Sequence, residues 1–262
     1  MSERSWTIRP YEKGDETGYL ALMKMVFPKY ECDLIRWCWE FRDNPFGFLQ
    51  TFSTSNGKIV GHLGLVGVPI KVGDRILRGS QAVDLAVHPD FRRKGMFLEI
   101  GKKLVQCAED EGIVISYAAP SERIYRGFLK FGWFYVSEIP LLLKIMRKKG
   151  FLILVLGKFH DFVKRPSFKS MSEFIRTIKN LIKVPNINYR KHALCSDYLV
   201  KYAVTSFDER FDKLWEEASR QHQLLVARNA KYLNWRYVKK PHSSYVILLV
   251  ERNGEVEGYI VL

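Results

Sequence analysis

Residues 83–97 read V-D-L-A-V-H-P-D-F-R-R-K-G-M-F, a stretch that predicts a buried strand, a sharp turn and the first turn of a helix. The apolar residues of this strand alternate, at Val83, Leu85 and Val87. Pro89 ends the strand because it has no N–H group, and Gly95 lets the backbone turn tightly. Three basic residues stand in that turn, and the free N–H groups at the start of the helix suit a bound phosphate.

The pattern V-x-P-x-x-R-x-x-G runs from Val87 to Gly95, between the strand and the helix. It resembles the cofactor motif Q/R-x-x-G-x-G/A of the GNAT superfamily of acyl-CoA-dependent N-acyltransferases, with matches at Arg92 and Gly95. The sequence departs from the motif at Phe97, which predicts a narrower space over the pyrophosphate of the cofactor. An ordinary strand–turn–helix with a solvated basic turn is the alternative interpretation.

The elements predicted around this stretch follow the order of a GNAT domain. They are a strand at 6–10, helices from Asp15 and over 33–42, hairpins at 48–66 and 68–78, strands at 80–87 and 113–118, a helix at 122–131, and strands at 134–138 and 140–145. The resemblance covers about residues 6–146. It implies an α/β (α+β) fold with a mixed, mostly antiparallel central sheet flanked by helices.

The composition is that of a globular protein, with 47% apolar and 27% charged residues in a chain of 262. The net charge of +14 favours anionic partners such as coenzyme A and phosphates. The four cysteines form no C-x-x-C pair and predict buried thiols in a reducing compartment. The N-terminus does not resemble a signal peptide, and no apolar run reaches membrane-spanning length. We therefore expect a cytoplasmic protein without a metal site.

Most of the positive charge lies between residues 144 and 191, where 13 basic residues face two acidic ones, a net charge of +11. Helical patterns occur at 151–163 and 170–183, and Pro166 and Pro185 separate the pieces. Such helices suit packing against the protein's own domain, contact with an anionic membrane surface, or the border of a cleft for an anionic substrate.

The last third of the chain repeats features of the first third. After one insertion, Trp39, Pro45, Asn56-Gly57 and Gly61 recur as Trp235, Pro241, Asn253-Gly254 and Gly258. We predict an acyl-CoA-binding domain at 1–147, a basic helical linker at 148–195 and a partial second GNAT-like unit at 196–262. A chance coincidence of the two patterns is the alternative.

The GNAT resemblance implies which residues hold the cofactor. Backbone groups of the strand pair with the pantetheine arm, and N–H groups of the turn cradle the pyrophosphate. The residues assigned to the cofactor are Leu85, Ala86, Val87, Arg92, Arg93, Lys94, Gly95, Met96 and Phe97. A backbone N–H near Ala86 or Val87 faces the developing oxyanion. A role as ordinary solvated cations stays open for Arg92 and Lys94.

The same resemblance implies direct attack of a neutral amine on a thioester, which requires a base for the amine and an acid for the thiolate. Asp84 is the leading candidate base because it lies on the central strand, next to the expected carbonyl; a structural ion pair is its alternative. Glu122 is a second candidate base. Phe128 occupies the position of the tyrosine that many family members use, so Tyr125, one helical turn earlier, is the substitute acid. The direction of His62, into the cleft or out of it, stays open.

These residues predict an acyl-CoA-dependent N-acyltransferase that uses acetyl-CoA and acylates a primary amine of small or medium size. The basic segment favours an acceptor that carries a phosphate. Two other functions stay open. One is a GNAT-fold binding or scaffold protein with weak or lost catalysis, which Phe97 and Phe128 favour. The other is a protein that binds an anionic membrane surface or nucleic acid; nucleic acid is disfavoured, because packing explains the aromatic residues of 231–237 more simply. A homodimer and a native chain that continues past Leu262 are both compatible with the sequence.

Overall fold

The computed structural model describes residues 5–138, 199–201 and 205–262. Up to residue 138 the elements are β1 (Thr7–Pro10), α1 (Glu16–Val26), α2 (Leu34–Trp37), β2 (Phe48–Ser55), β3 (Lys58–Val72), β4 (Arg75–Val87), α3 (Met96–Asp110), β5 (Ile115–Tyr117) and α4 (Glu122–Phe128). From residue 199 they are β6 (Leu199–Lys201), α5 (Glu209–Ser219), β7 (Leu224–Val226), α6 (Ala230–Leu233), β8 (Ile247–Arg252) and β9 (Glu255–Val261). None of the helices in these ranges is long and apolar enough to cross a membrane.

The chain divides into two units. One comprises Met1–Tyr135 and Cys195–Leu262, and the other comprises Val136–Leu194. Of the second unit, the structure describes residues 136–138 only. The predicted basic helices, the predicted strand at 140–145 and the predicted domain limits near 147 and 195 therefore lie outside the described residues and stay predictions.

The first unit contains a six-stranded sheet with the order β1-β2-β3-β4-β5, in which β7 pairs with β3 beside this path. Neighbouring strands are antiparallel except for β4 and β5, which run parallel. A separate antiparallel sheet contains β6, β8 and β9. The predicted mixed, mostly antiparallel sheet flanked by helices is confirmed.

The two predicted hairpins merge into one longer meander, because β3 runs unbroken through Gly67 and β4 runs unbroken through Gly79. A Cβ atom on Gly67 would lie 2.1 Å from the carbonyl oxygen of Phe46, and one on Gly79 would lie 2.2 Å from the side chain of Ile70. Glycine at these positions permits close packing rather than ending a strand. The prediction of two separate hairpins is therefore wrong.

Helices cover both faces of the six-stranded sheet and create two apolar cores. On one face, α1 and α2 contribute Tyr19, Leu22, Met23 and Trp37, which pack with Phe52, Val66 and Ala86 of the sheet. On the other face, α3 contributes Met96, Ile100 and Leu104, which pack with Val60, Leu63 and Leu65. Because β4 lies between these cores, its successive residues point toward α1 or toward α3.

Residues 134–138 form no strand, although their apolar pattern predicts one. The side chains of Phe134 and Val136 are 82% and 80% exposed, so no neighbouring strand or helix among the described residues covers them. The sequence pattern also gave no prediction for β7 (Leu224–Val226), which pairs with β3 of the main sheet.

The second half of the first unit repeats the folding of its first half. Asp33 caps α2 by accepting from the N–H of Arg36, and Asn229 caps α6 by accepting from the N–H of Tyr232. Each of these short helices continues into a π-helical turn with a tryptophan at its second position, over Cys38–Arg42 and Asn234–Val238. We call residues 7–72 the first repeat and residues 199–261 the second repeat.

The two tryptophans of these turns bind each other. The rings of Trp39 and Trp235 stack with centroids 5.3 Å apart and an interplanar angle of 18°. The indole N–H of Trp39 donates to the carbonyl of Trp235 at 2.8 Å, and the indole N–H of Trp235 donates to the carbonyl of Trp39 at 2.9 Å. This reciprocal contact, in which matching atoms exchange roles, is what a pair of related repeats is expected to make.

Candidate active site

A β-bulge interrupts the pairing of β3 and β4 at the position of the leading candidate base. The register shifts between His62 and Gly64 of β3. Opposite this shift, Asp84 has a φ of 53°, in the left-handed region that few residues other than glycine adopt. The imidazole Nδ1 of His62 lies 2.7 Å from the carbonyl oxygen of Asp84. A side-chain hydrogen bond therefore holds the backbone in this strained conformation.

The His62 side chain is fully buried among the rings of Tyr19, Phe41 and Phe52. Burial lowers the pKa of His62 to about 4, against the opposing effect of the Asp84 carbonyl and charge. The imidazole is therefore neutral at pH 7. Its Nδ1–H donates to Asp84, and its Nε2 accepts from the amide of Gln50, 3.2 Å away.

The Asp84 carboxylate accepts two phenolic hydrogen bonds. The hydroxyl of Tyr19 donates to Oδ2 at 2.6 Å, and the hydroxyl of Tyr30 donates to Oδ1 at 3.2 Å. Burial, and then the charge of Asp84, raise the pKa of both tyrosines far above the ordinary value. Both phenols therefore keep their protons and act as donors, so the Asp84 carboxylate is held on the α1 and α2 face of the sheet.

A buried acid–arginine pair adjoins this carboxylate. The guanidinium of Arg36 contacts the hydroxyl of Tyr30 and donates from Nε to Oε2 of Glu40 at 3.3 Å. Burial, and then the charge of Asp84, raise the pKa of Glu40 to about 7, although the charge of Arg36 opposes this shift. Glu40 therefore exchanges its proton near neutral pH, one hydrogen-bonded arginine away from the Asp84 network.

The part of β4 around Asp84 pairs with β3 on one edge, and on its other edge it has no strand partner among the described residues. β5 pairs with β4 only from Gly79 to Gln81, whereas β4 continues to Val87. The edge after Gln81 therefore presents backbone N–H and C=O groups beside the bulge, and these groups are suited to pairing with an extended ligand.

The basic turn that follows β4 leads into α3. Arg93 and Gly95 adopt positive φ values of 63° and 89°. The N–H groups of Leu98 and Glu99 both donate to the carbonyl of Gly95, where the hydrogen bonding of α3 begins. The N–H groups of the residues before Leu98 therefore have no acceptor within the helix. The Nε of Arg92 donates to the carbonyl of Val87 at 3.0 Å, which ties the turn to the end of β4. This geometry fits an anion such as a pyrophosphate.

The ring of Phe97 packs between α3 and α4 rather than over this turn. Its centroid lies 5.7 Å from that of Phe128 and 5.4 Å from that of Phe131. A Cβ atom on Gly127 would lie 2.0 Å from the Phe97 ring, so the glycine provides the room that the ring needs. The narrowing of the space over the pyrophosphate by Phe97 stays a prediction. Phe128 is a buried core residue.

The other two candidate catalytic residues lie on α4, which packs on the α3 face of the sheet. Tyr125 is half-buried, and its ring lies 6.0 Å from that of Tyr135. Glu122 is exposed in the first turn of the helix. Among the hydrogen bonds of the described residues, none joins either side chain to Asp84. The structure therefore does not bring Tyr125 or Glu122 into hydrogen-bond contact with Asp84, whose described partners are Tyr19 and Tyr30.

Several residues of the site went unpredicted: Tyr19, Tyr30, Arg36 and Glu40. The sequence contains a signal for Glu40 alone, because it follows Trp37 by three positions and so lies near the apolar side of its helix. Within the described ranges, no group of three or more His, Cys, Asp or Glu side chains is placed to hold a metal ion.

Comparisons with known proteins concern the family and the fold. A family profile described as "Acetyltransferase (GNAT) domain" matches residues 7–136. Among solved structures, a conserved protein of Enterococcus faecalis, titled a probable N-acyltransferase, superposes with a TM-score of 0.60 at 12% identity. The match covers 98% of this chain and 54% of the Enterococcus protein, so the chain spans about half of that protein's length. This likeness concerns the fold.

Two further solved structures each match 53% of the chain. An acetyltransferase of Trypanosoma brucei is 20% identical with a TM-score of 0.44, and the match covers 53% of this chain and 99% of that one. A predicted acetyltransferase of Clostridium acetobutylicum, solved with acetyl-CoA, is 13% identical with a TM-score of 0.45. The match covers 53% of this chain and 96% of the Clostridium protein. No curated protein matches the chain. On the strength of the family profile, the chain belongs to the GNAT family, with its acetyltransferase domain at residues 7–136.

Proposed function

We propose that the protein is an N-acyltransferase that transfers the acetyl group of acetyl-CoA to a primary amine. One observation carries the proposal: a carboxylate is held at a bulge of β4, beside a strand edge that has no partner among the described residues and that leads into a turn suited to an anion. A strand edge pairs with an extended pantetheine arm, a turn of this kind binds a pyrophosphate, and a carboxylate accepts protons from an amine.

Asp84 is the proposed base. The amine arrives as an ammonium, gives one proton to the carboxylate and attacks the thioester carbonyl with its freed electron pair. When the tetrahedral intermediate collapses, the C–S bond breaks, the second N–H proton passes to solvent, and Tyr125 regains from solvent the proton that it gives to the thiolate. The hydrogen bonds from Tyr19 and Tyr30 hold the carboxylate in one orientation, which favours a single geometry of attack.

The cofactor residues named from the sequence keep their proposed roles. Backbone groups from Leu85 to Val87 pair with the pantetheine arm, and a backbone N–H of this stretch binds the oxyanion. The N–H groups around Gly95 bind the pyrophosphate. Tyr125 is the proposed donor of the proton that the departing thiolate takes; a protein without such a donor would fit the binding or scaffold function that Phe128 favours.

Calorimetry with acetyl-CoA and with free CoA tests the cofactor part of this proposal. We expect both to bind, since the groups assigned to the cofactor contact its pantetheine and pyrophosphate, which the two ligands share. Absence of heat at millimolar ligand would remove the transferase proposal. Binding without thiol release over a broad panel of primary amines would favour the scaffold function.

Asp84→Asn tests the base. Asparagine has the same shape and tolerates a positive φ, so we expect the variant to fold and to bind acetyl-CoA as the wild type does. Loss of the proton acceptor should lower kcat/KM for the amine by about 10²- to 10⁴-fold. The matched control is Asp74→Asn in the exposed turn between β3 and β4, which should retain full activity. Equal activities of the two variants would exclude Asp84 as the base.

A further inference from the structure

A cavity of about 140 Å³ lies where the first repeat meets the second repeat. It is lined by Glu31, Arg36 and Trp39 of the first repeat and by Lys240, Pro241, His242 and Ser243 of the second. A single buried water needs roughly 10–15 Å³ by the same measure, so the cavity has room for a group of several atoms.

The two repeats have equivalent places beside their stacked tryptophans, and only the place beside Trp39 contains this cavity. Counted from the shared proline, Phe46 of the first repeat corresponds to His242 of the second. The ring of Phe46 packs against Trp235 with centroids 6.5 Å apart, whereas the corresponding place beside Trp39 is the cavity. A large apolar ring thus fills one of the two related places, and polar residues border the other.

Cations surround the cavity and retain unused donors. The Nζ of Lys240 lies 5.8 Å from the ring centroid of Trp39 and donates to the hydroxyl of Tyr245 at 2.8 Å. An ammonium has three donors, and among the described side chains only Tyr245 accepts from this one. Arg36 has five N–H donors, of which the hydrogen bonds among the described residues use two, one toward Glu40 and one toward Tyr30. Such donors recognise an anionic oxygen group.

Two carboxylates at the rim balance part of this charge. The Nε2 of His242 lies 2.8 Å from Oδ2 of Asp33, which joins the two repeats at the edge of the cavity. Glu31 is exposed on the lining. A lining with cations inside and a free carboxylate at the rim fits a molecule that carries both an anionic group and an ammonium group.

The cavity also connects with the candidate base. Arg36 lines the cavity and contacts the hydroxyl of Tyr30, which donates to Asp84 at 3.2 Å. A molecule held at Lys240 and Arg36 therefore lies two side chains away from the carboxylate that accepts the amine proton.

We propose that this cavity binds a carboxylate or phosphate group of the amine acceptor through Lys240 and Arg36. The acceptor is then a small amine that also carries an anionic group. That the bound molecule is the amine acceptor rests on the proposed function, whereas the binding of an anionic group in the cavity does not.

Ligand-observed NMR titration of the full chain tests this site with three probes: O-phosphoethanolamine, β-alanine and ethanolamine. We expect the first two to bind at least about ten-fold more tightly than ethanolamine, because each adds charge-assisted hydrogen bonds. The ratio between these two probes distinguishes a phosphate from a carboxylate. Equal affinity for all three probes would overturn the proposal.

Three variants locate the binding. Lys240→Gln should remove the preference for the anionic probes, and the matched Lys239→Gln, on the exposed neighbouring residue, should retain it. His242→Phe places a large apolar ring in the cavity and should abolish binding; because His242 has a left-handed φ of 54° and contacts Asp33, a lower melting temperature with a retained fold by circular dichroism is expected as well. Indistinguishable results for the two lysine variants would overturn the proposal.

The two proposals fail separately. Preferential binding of the anionic probes, with no thiol released from acetyl-CoA by any amine, would leave the site standing and remove the transferase function. Acetyl transfer to ethanolamine that is as efficient as transfer to the anionic amines would leave the function standing and remove the site.

Discussion

The first repeat and the second repeat use the same backbone features at matching positions. Each has an Asx-capped short helix and a π-helical turn with its tryptophan. Each has an Asn-Gly turn with positive φ at both residues, at Asn56-Gly57 and at Asn253-Gly254. The strand register shifts at matching places as well, between Ser53/Thr54 and between Val250/Glu251.

Their polar side chains differ. Glu40 corresponds to Arg236, whose charge opposes the raised pKa of Glu40, and His62 corresponds to Tyr259. The buried acid of the second repeat, Glu251, instead makes an ion pair with Arg210 at 2.6 Å. The comparison indicates that turns, caps and apolar contacts determine the repeated scaffold, whereas Glu40 and His62, two polar residues of the candidate site, occur in the first repeat and are replaced in the second.

The largest stability effects should come from the contact between the repeats. Trp39→Ala and Trp235→Ala each remove a buried, stacked indole and its hydrogen bond, and each should lower the free energy of unfolding by about 3–5 kcal/mol. Urea denaturation followed by circular dichroism measures both. We expect similar values, because matching atoms make the same contacts.

The phenylalanine variants are the controls for this pair. Trp39→Phe and Trp235→Phe keep a stacked ring and lose the N–H donor, so each should cost about 1–2 kcal/mol. A large effect of Trp39→Ala beside a negligible effect of Trp235→Ala would show that the second repeat is not needed for folding of the first, and would break the comparison.

Two buried titratable groups of the first repeat, His62 and Glu40, are replaced in the second repeat, and they should make stability depend on pH. His62 has a folded pKa of about 4 below its ordinary value of 6.5, so the unfolded chain binds the extra proton and stability rises with pH between these values. Glu40 has a folded pKa of about 7 above its ordinary value of 4.5, so the folded chain binds the extra proton and stability falls with pH between these values.

Between about pH 4.5 and 6.5 the contributions of His62 and Glu40 to the free energy of unfolding change with pH in opposite directions. A variant that removes one of the two groups should therefore leave the pH dependence of the other. Relative to wild type, Glu40→Gln should gain stability as pH rises, and His62→Gln should lose it, with slopes of up to about 1.4 kcal/mol per pH unit. Urea denaturation at half-unit pH steps measures both slopes. Slopes of the same sign in the two variants would contradict the assignment of opposite proton binding.

The repeat comparison also separates what the sequence can predict from what it cannot. The Asn56-Gly57 turn and the strand–turn–helix of residues 83–97 are local signals, and the sequence predicted both correctly. Gly67 and Gly79 were misread, since a close approach to Phe46 or Ile70 depends on distant parts of the chain. The π-helical turns and β7 have no periodic signature at all.

The candidate site follows the same division. Asp84 is recognisable as a carboxylate on a buried strand, but its donors Tyr19 and Tyr30 lie 65 and 54 residues away in the sequence. His62 has a place in a predicted strand, yet its hydrogen bond to the Asp84 carbonyl depends on a bulge that alternation does not reveal. Residues brought together by tertiary packing are therefore found only in the structure.

The smallest effects should come from the two Asn-Gly turns, where the repeats are most alike. Gly57 and Gly254 have φ values of 71° and 85°, and a Cβ atom on either would meet nothing within 4 Å. Alanine should therefore cost only the left-handed backbone strain, about 1 kcal/mol at each position by urea denaturation. Gly258→Ala is the matched control, since that glycine has an ordinary φ and equally open space. A cost at Gly258 as large as at the turns would assign the effect to β-strand propensity instead. A much larger cost at Gly254 than at Gly57 would mean that the two turns contribute differently to the stability of the fold.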